Sequence, residues 1–284
     1  MALLCASAPA MAKETAPEIK GKAGKEFFKR FLDCPVSSGE ICTYAETLSG
    51  EFKIGSKTAP IVNPLVLQGG LASLGTLKEL TMPLVPPRFG AEEVSKTPQP
   101  LPGGLTGLGE GIGGEVSATA ELVKGGTVLL SPAELFGEEP VVTLPIKIHL
   151  QNELLGENCY IGSDESPVVL HLTASTTHPP AGTEPIKGKQ GEKIGVLKGK
   201  GIEFRENTLV DNTFAVPGAT GCGTNALLVP VVTALVNLDA GLPAAAGTNV
   251  AVLNGNVSTG QSKWVAKYDG KEIKAKEKAE KPAK

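Results

Sequence analysis

The chain has 284 residues, 41% hydrophobic and 20% charged, with a formal net charge of −3. That balance belongs to a folded globular protein and excludes a disordered one. The charge is uneven: residues 13–30 hold six basic and three acidic groups and residues 263–284 hold eight lysines and four acids, so basic ends flank an acidic body. With no basic patch interleaved with aromatic residues, nucleic-acid binding is not expected.

Residues 1–12 read as the back half of a secretory signal peptide. A short apolar run gives way to small residues and ends in Ala10-Met11-Ala12, an A-x-A cleavage pattern before Lys13. The expected location is the medium or the cell envelope, which places every later cysteine in an oxidising compartment. Cys5 does not read as a lipid attachment site, because Leu4 stands where a small residue would be needed. Residues 13–33 form a polar N-terminal segment that ends in a short helix over 25–32, with Phe27, Phe28, Phe31 and Leu32 at helical spacing.

From residue 34 onward strand signals dominate. Residues 51–54 alternate, and 60–67 read as a strand interrupted by Pro64, which suits an edge or a bulge. Residues 84–114 are rich in Pro and Gly and read as a long connection hiding short strands. The clearest strands cover 115–123 and 141–151. In the second, Leu144, Ile146, Ile148 and Leu150 alternate with Pro145, Lys147 and His149. Residues 159–161 and 167–173 continue the pattern, 176–190 is a surface loop, and 195–205 is a hairpin turning on Gly199 and Gly201. Residues 225–238 read as the longer of one or two helices, with Pro230 near the first turn where it is tolerated, and the frequent Val leaves a strand as the alternative. Residues 248–253 read as a strand ending in an Asn254-Gly255 turn. Trp264 closes the last strand, and residues 263–284 follow as a lysine-rich disordered tail.

Two phrases recur about 107 residues apart: Ile54-Gly-Ser-Lys-Thr-Ala-Pro-Ile-Val62 and Ile161-Gly-Ser-Asp-Glu-Ser-Pro-Val-Val169. They divide the body into β-rich repeat 1, residues 34–150, and β-rich repeat 2, residues 151–262. The expected fold is mainly β, an antiparallel sandwich or barrel of two pseudo-repeated halves. Loss of Cys5 with the signal leaves Cys34, Cys42, Cys159 and Cys222, an even set that reads as two disulfides. Three pairings are open. The Pro35, Ser37, Ser38 and Gly39 loop favours Cys34–Cys42, which leaves Cys159–Cys222. Zinc competes poorly: there is no C-x-x-C, and His149, His171 and His178 lack ligand spacing.

Catalytic signatures are sparse, and neither a metal nor a cofactor is expected. Gly109-Glu-Gly-Ile-Gly-Gly114 fits G-x-G-x-x-G but has no βαβ context. No G-x-S-x-G occurs, and Ser56 and Ser163 read as turn residues. His149 and His171 read as exposed-face sheet residues, with a site built alongside Asp164, Glu165 or Asp211 as the sharper alternative. Glu203, Glu206 and Asp211 are close enough to suggest paired glycosidase carboxylates, but Trp and Tyr are too few for a sugar platform. Asn256-Val-Ser258 is a glycosylation sequon.

Four stretches resemble a group of secreted, uncharacterised actinobacterial proteins: Phe52-Lys-Ile-Gly-Ser56, Leu144-Pro-Ile-Lys-Ile-His-Leu-Gln-Asn152, Asn158-Cys-Tyr-Ile-Gly-Ser163 and residues 207–222 with Pro217-Gly-Ala-Thr-Gly-Cys222. The resemblance implies export from a high-GC Gram-positive bacterium and carries no activity. The leading expectation is an exported, non-catalytic binding or structural protein whose basic ends are weakly attracted to anionic cell-wall polymer or a membrane surface. Its rivals are a secreted hydrolase using His149, His171 and Asp211, and a carrier of apolar ligands, which a lined cavity would favour.

Overall fold

Long alternating segments set the architecture of the computed structural model, which describes residues 17–72, 81–104 and 115–280. The signal-like residues 1–12 and the glycine run 109–114 lie outside the described residues. Fifteen strands follow in chain order. They are β1 (Glu18–Ile19), β2 (Ile41–Ile54), β3 (Lys57–Pro60), β4 (Leu65–Leu71), β5 (Met82–Val85), β6 (Gln99–Pro100), β7 (Ser117–Leu122) and β8 (Leu129–Leu130). The remainder are β9 (Val142–Gln151), β10 (Tyr160–Ile161), β11 (Val168–Leu172), β12 (Glu192–Val196), β13 (Gly201–Asp211), β14 (Ala219–Thr220) and β15 (Val250–Gln261). Three helices accompany them: α1 (Gly21–Glu26), continued by a 3₁₀ turn over Phe27–Phe31, α2 (Val229–Ala240) and α3 (Ser262–Glu280).

The strands form one mixed sheet in the order β1-β12-β13-β15-β2-β4-β5-β8-β9-β10-β14, with β3 on β2, β7 and β11 on β9, and β6 on β7. The only parallel pair among the described strands is β1 with β12. The fold turns on β5. Val85 and Leu84 pair with Gly70 and Leu71 of β4, while Met82 and Pro83 pair with β8. The sheet thereby doubles back, and its two layers bury one apolar core between them. On the other side Thr173 and Val210 exchange backbone hydrogen bonds of 3.0 and 2.9 Å. The sheet is not closed into a barrel, so of the two expected architectures the layered one is found.

Two segments differ from expectation. Asn254-Gly255 is not a hairpin turn, because β15 runs straight through it to Gln261. Asn254 pairs with Ser49 but Gly255 with Thr47, which leaves Leu48 as an extra residue in β2. Gly255 is needed for close approach: a Cβ there would lie 1.8 Å from the Glu46 carbonyl oxygen. The short polar side chain and glycine that suit a turn also suit a bulge. Trp264, in turn, lies on a helix.

The second difference is the lysine-rich segment 263–284, which forms α3 instead of a disordered tail up to Glu280. Val265 and Ile273 are buried with Phe27, Phe28, Phe31 and Val196 in a second, smaller core on the outer side of the β2–β15–β13 layer. Lysine composition hides a sparse apolar stripe. Lys200 caps the contact, its Nζ 4.0 Å from the Trp264 ring centre and 2.9 Å from the Tyr268 hydroxyl, to which it donates. Lys276 pairs with Asp33, and Arg88 with Glu277. The two basic ends of the chain therefore meet on one pole of the molecule.

Asp269 sits inside this contact, 5% exposed, and its Oδ2 has no hydrogen-bond partner. Burial, reinforced by the Glu272 charge, pushes its carboxyl up to about 6, with Lys29 opposing. A raised folded-state value favours the protonated form, so this stability is present below the ordinary carboxylate range and is lost as pH rises through about 6. Asp269→Asn should match the wild type near pH 4 and exceed it by about 2 kcal/mol at pH 8. Urea melts at the two pH values check this, and equal stability at pH 8 would count against it.

Candidate functional site

The doubled-back sheet does not fill its own interior. β9 alternates strictly, and Val142, Leu144, Ile146, Ile148 and Leu150 all point inward. Leu170 and Leu172 of β11 extend this wall of branched aliphatics. The facing layer presents Thr43, Ala45 and Thr47 from β2 and Thr259 from β15, and β7 adds Ala120. Short side chains opposite long ones leave a cavity of about 140 Å³. A second chamber of about 70 Å³ adjoins it, lined by Ile54, Ala59, Leu101, Ala118, Ile148, Leu150 and Ile161. The chambers share Phe52, Leu65, Ala120 and Ile146 as walls. Together they follow β9 from Val142 to Leu150, roughly 26 Å of strand. An apolar cavity of roughly 150 Å³ is enough to take up benzene.

Bulges place these side chains. Before Leu48 the odd-numbered residues of β2 face the cavity; after it the even-numbered Phe52 and Ile54 do. One inserted residue reverses the pleat and leaves Leu48 outside, 46% exposed. β13 does the same. Phe204 pairs with Val257 and Asn207 with Gly255, with Glu206 at φ 53° between them, so Phe204 and Leu209 both reach the cavity. Without the two bulges half of this lining would face outward.

Polar groups are few: Thr43, Thr47 and Thr259 in the larger chamber and one cluster in the smaller. Thr43, 6% exposed, lines the larger chamber, and its Oγ1 has no hydrogen-bond partner. Lys57, Thr97 and Gln99 line the smaller chamber together with Ala240, at the C-terminal end of α2. Lys57 Nζ stands 2.8 Å from Asp239 Oδ2. Gln99 is committed to the backbone: its Oε1 accepts from the Val62 and Asn63 amides at 3.0 Å.

The residues singled out for chemistry have other duties. Asp211, fully buried, accepts from the His171 amide at 2.6 Å and from the Thr213 amide and hydroxyl at 2.7 Å. It fastens strands together and faces no histidine ring through these bonds. His149 stacks on Tyr160 with ring centres 4.5 Å apart, its Nδ1 3.6 Å from Glu121. Glu203 is clamped between Arg30 and Arg205, each at 2.7 Å, and ties the 3₁₀ turn to β13. Ser56 donates to the Asp239 carbonyl, and the Ser163 hydroxyl organises its own turn by accepting from Glu165 and Ser166 amides. Asp164 accepts from Lys147 at 2.9 Å and from the Lys124 amide. Both I-G-S phrases are turns with glycine in the left-handed region, Gly55 at φ 56° and Gly162 at φ 74°. Asn256 of the sequon accepts the Glu206 amide, and its Ser258 is buried.

The sulfurs of Cys34 and Cys42 are bridged, as are those of Cys159 and Cys222. Among the described residues no group of three or more His, Cys, Asp or Glu could hold a metal ion, and no helix is long and apolar enough to cross a membrane. The small residues opposite β9 escaped the sequence reading because Thr and Ala carry little apolar signal. Their faint trace is the Thr43, Ala45, Thr47 alternation on a long strand. Comparison with protein-family models, with curated proteins and with solved structures yields no match, so what the chain does has to be argued from its own cavity.

Proposed function

We propose that this is an exported binding protein that holds the aliphatic chain of an amphiphile between its sheet layers. The supporting observation is the pair of contiguous chambers, walled by aliphatic side chains for most of their length and polar at the Lys57–Gln99 end. An alkyl chain fits that profile: it needs no partner along its length and buries apolar area at about 25 cal/mol per Å². The polar end suits a headgroup, and the Thr43 hydroxyl suits one oxygen along the chain. Export is supported by the signal-like start, by the likeness to secreted actinobacterial proteins, and by two disulfides, which persist in oxidising compartments.

Ala120 lines both chambers, so Ala120→Leu takes volume from each of them. A long-chain fatty acid titrated into the wild type should bind, and Ala120→Leu should weaken binding at least tenfold. The change in stability should stay within about 3 kcal/mol in either direction. Thr43→Val, which keeps shape and removes the hydroxyl, should leave binding of a saturated acid unchanged and weaken that of a mid-chain hydroxy acid. Undiminished binding by Ala120→Leu, or none by the wild type, would overturn the reading.

A further inference from the structure

α2 has its polarity reversed. A helix on the surface of a water-soluble domain turns its aliphatic face inward and its polar face to solvent. Here Thr233 and Asn237 turn inward: the Thr233 hydroxyl donates to the Cys222 carbonyl, and the Asn237 amide exchanges hydrogen bonds with the backbone of Ala219. Every exposed residue from 226 to 238 is apolar: Ala226, Leu227, Leu228, Pro230, Val231, Ala234, Leu235 and Leu238. Val231, Leu235 and Leu238 form one ridge at i, i+4 and i+7, and Leu227 and Leu228 prolong it on the preceding turn. Leu227 is 88% exposed and Leu238 80%.

We infer that this ridge is a docking surface for the hydrocarbon of a lipid bilayer. Three observations favour lipid over protein. No charged side chain occurs between Asp211 and Asp239, so this stretch supplies neither the Arg nor the polar rim common at protein interfaces. The ridge is short, one 12-residue helix about 18 Å long with a single turn before it. At a helix width of about 10 Å its face covers on the order of 200 Å², well short of the roughly 800 Å² per partner that a stable dimer buries. And the ridge is continuous with the cavity: Val232, Val236 and Ala240, on the opposite side of the same helix, pack into the core, and Ala240 lines the smaller chamber beside Lys57. A lipid chain leaving the bilayer at α2 would meet the polar end of the chambers. The purpose of the contact rests on the proposed ligand role; the contact itself does not.

The test is flotation of the full chain with phosphatidylcholine vesicles at low and high salt. The wild type should float with the vesicles at both. Leu227→Glu/Leu238→Glu should reduce the bound fraction at least tenfold, and Leu227→Ser/Leu238→Ser should fall between. Near-ultraviolet circular dichroism should be unchanged in both variants. Binding of free fatty acid from solution separates the two ideas: the glutamate variant should keep it, whereas Ala120→Leu should lose it and still float. A wild type that stays unbound overturns the inference. So does binding that needs anionic lipid and vanishes in high salt, which would assign the contact to the lysines. So does a wild-type dimer in sedimentation that the glutamate variant dissociates, which would assign the ridge to a second copy.

Discussion

Ending the chain at Lys263 should lower the melting temperature by about 10 °C or more. The truncation keeps β15 whole and removes most of α3, whose Val265 is fully buried and whose Ile273 is 4% exposed. Two such side chains are worth about 3–6 kcal/mol on burial. Their loss also uncovers Phe28 and Phe31, and a domain of this size shifts by about 2–4 °C per kcal/mol. Differential scanning calorimetry reads the effect directly. An unchanged melting temperature would show that α3 does not pack against the 3₁₀ turn. Asp269→Asn provides the opposite control, because it removes a cost within the same contact.

The second large effect belongs to the longer disulfide. Cys159 and Cys222 are 63 residues apart, and both are fully buried. The chain-entropy account assigns about 4 kcal/mol to a loop of that size and about 2.5 kcal/mol to the loop between Cys34 and Cys42, 8 residues apart. Cys159→Ala/Cys222→Ala should therefore lose clearly more stability in urea than Cys34→Ala/Cys42→Ala, and a reversed order would refute this. The loss should also be felt at α2. Thr233 holds that helix to the backbone of Cys222, which the bridge holds to β10. Faster amide exchange in α2 of the first variant is the accompanying sign.

The sequence carried the strands and hid the surfaces. β9 is legible because five inward aliphatics alternate with Thr143, Pro145, Lys147 and His149, a pattern that depends on one strand alone. α3 is not, because Val265 and Ile273 are few among lysines and glutamates, and averaging over composition erases a narrow stripe. Asn254-Gly255 was ambiguous for a physical reason: a tight backbone approach needs the same residues whether the chain reverses or bulges. The cavity is harder still. It is defined by missing volume at Thr43, Ala45 and Ala120, and by two register shifts that exist only between strands. α2 was legible as a helix, with Pro230 near its start, and the structure ends it on Gly241 as a left-handed cap. Which side faces out was not, since aliphatics normally imply burial and here the body claims the polar side chains.

β2 spans 14 residues, with α3 beginning beside its first residue and the end of α2 beside its last. At about 3.3 Å per residue, less the bulge, the greasy pole and the lysine-rich pole stand about 40 Å apart. A molecule perched on a bilayer by α2 would hold its cations well clear of the headgroups and several Debye lengths out. There they would answer to whatever anionic polymer lies beyond, so that one rigid strand would act as a spacer between two chemically unlike layers of an envelope.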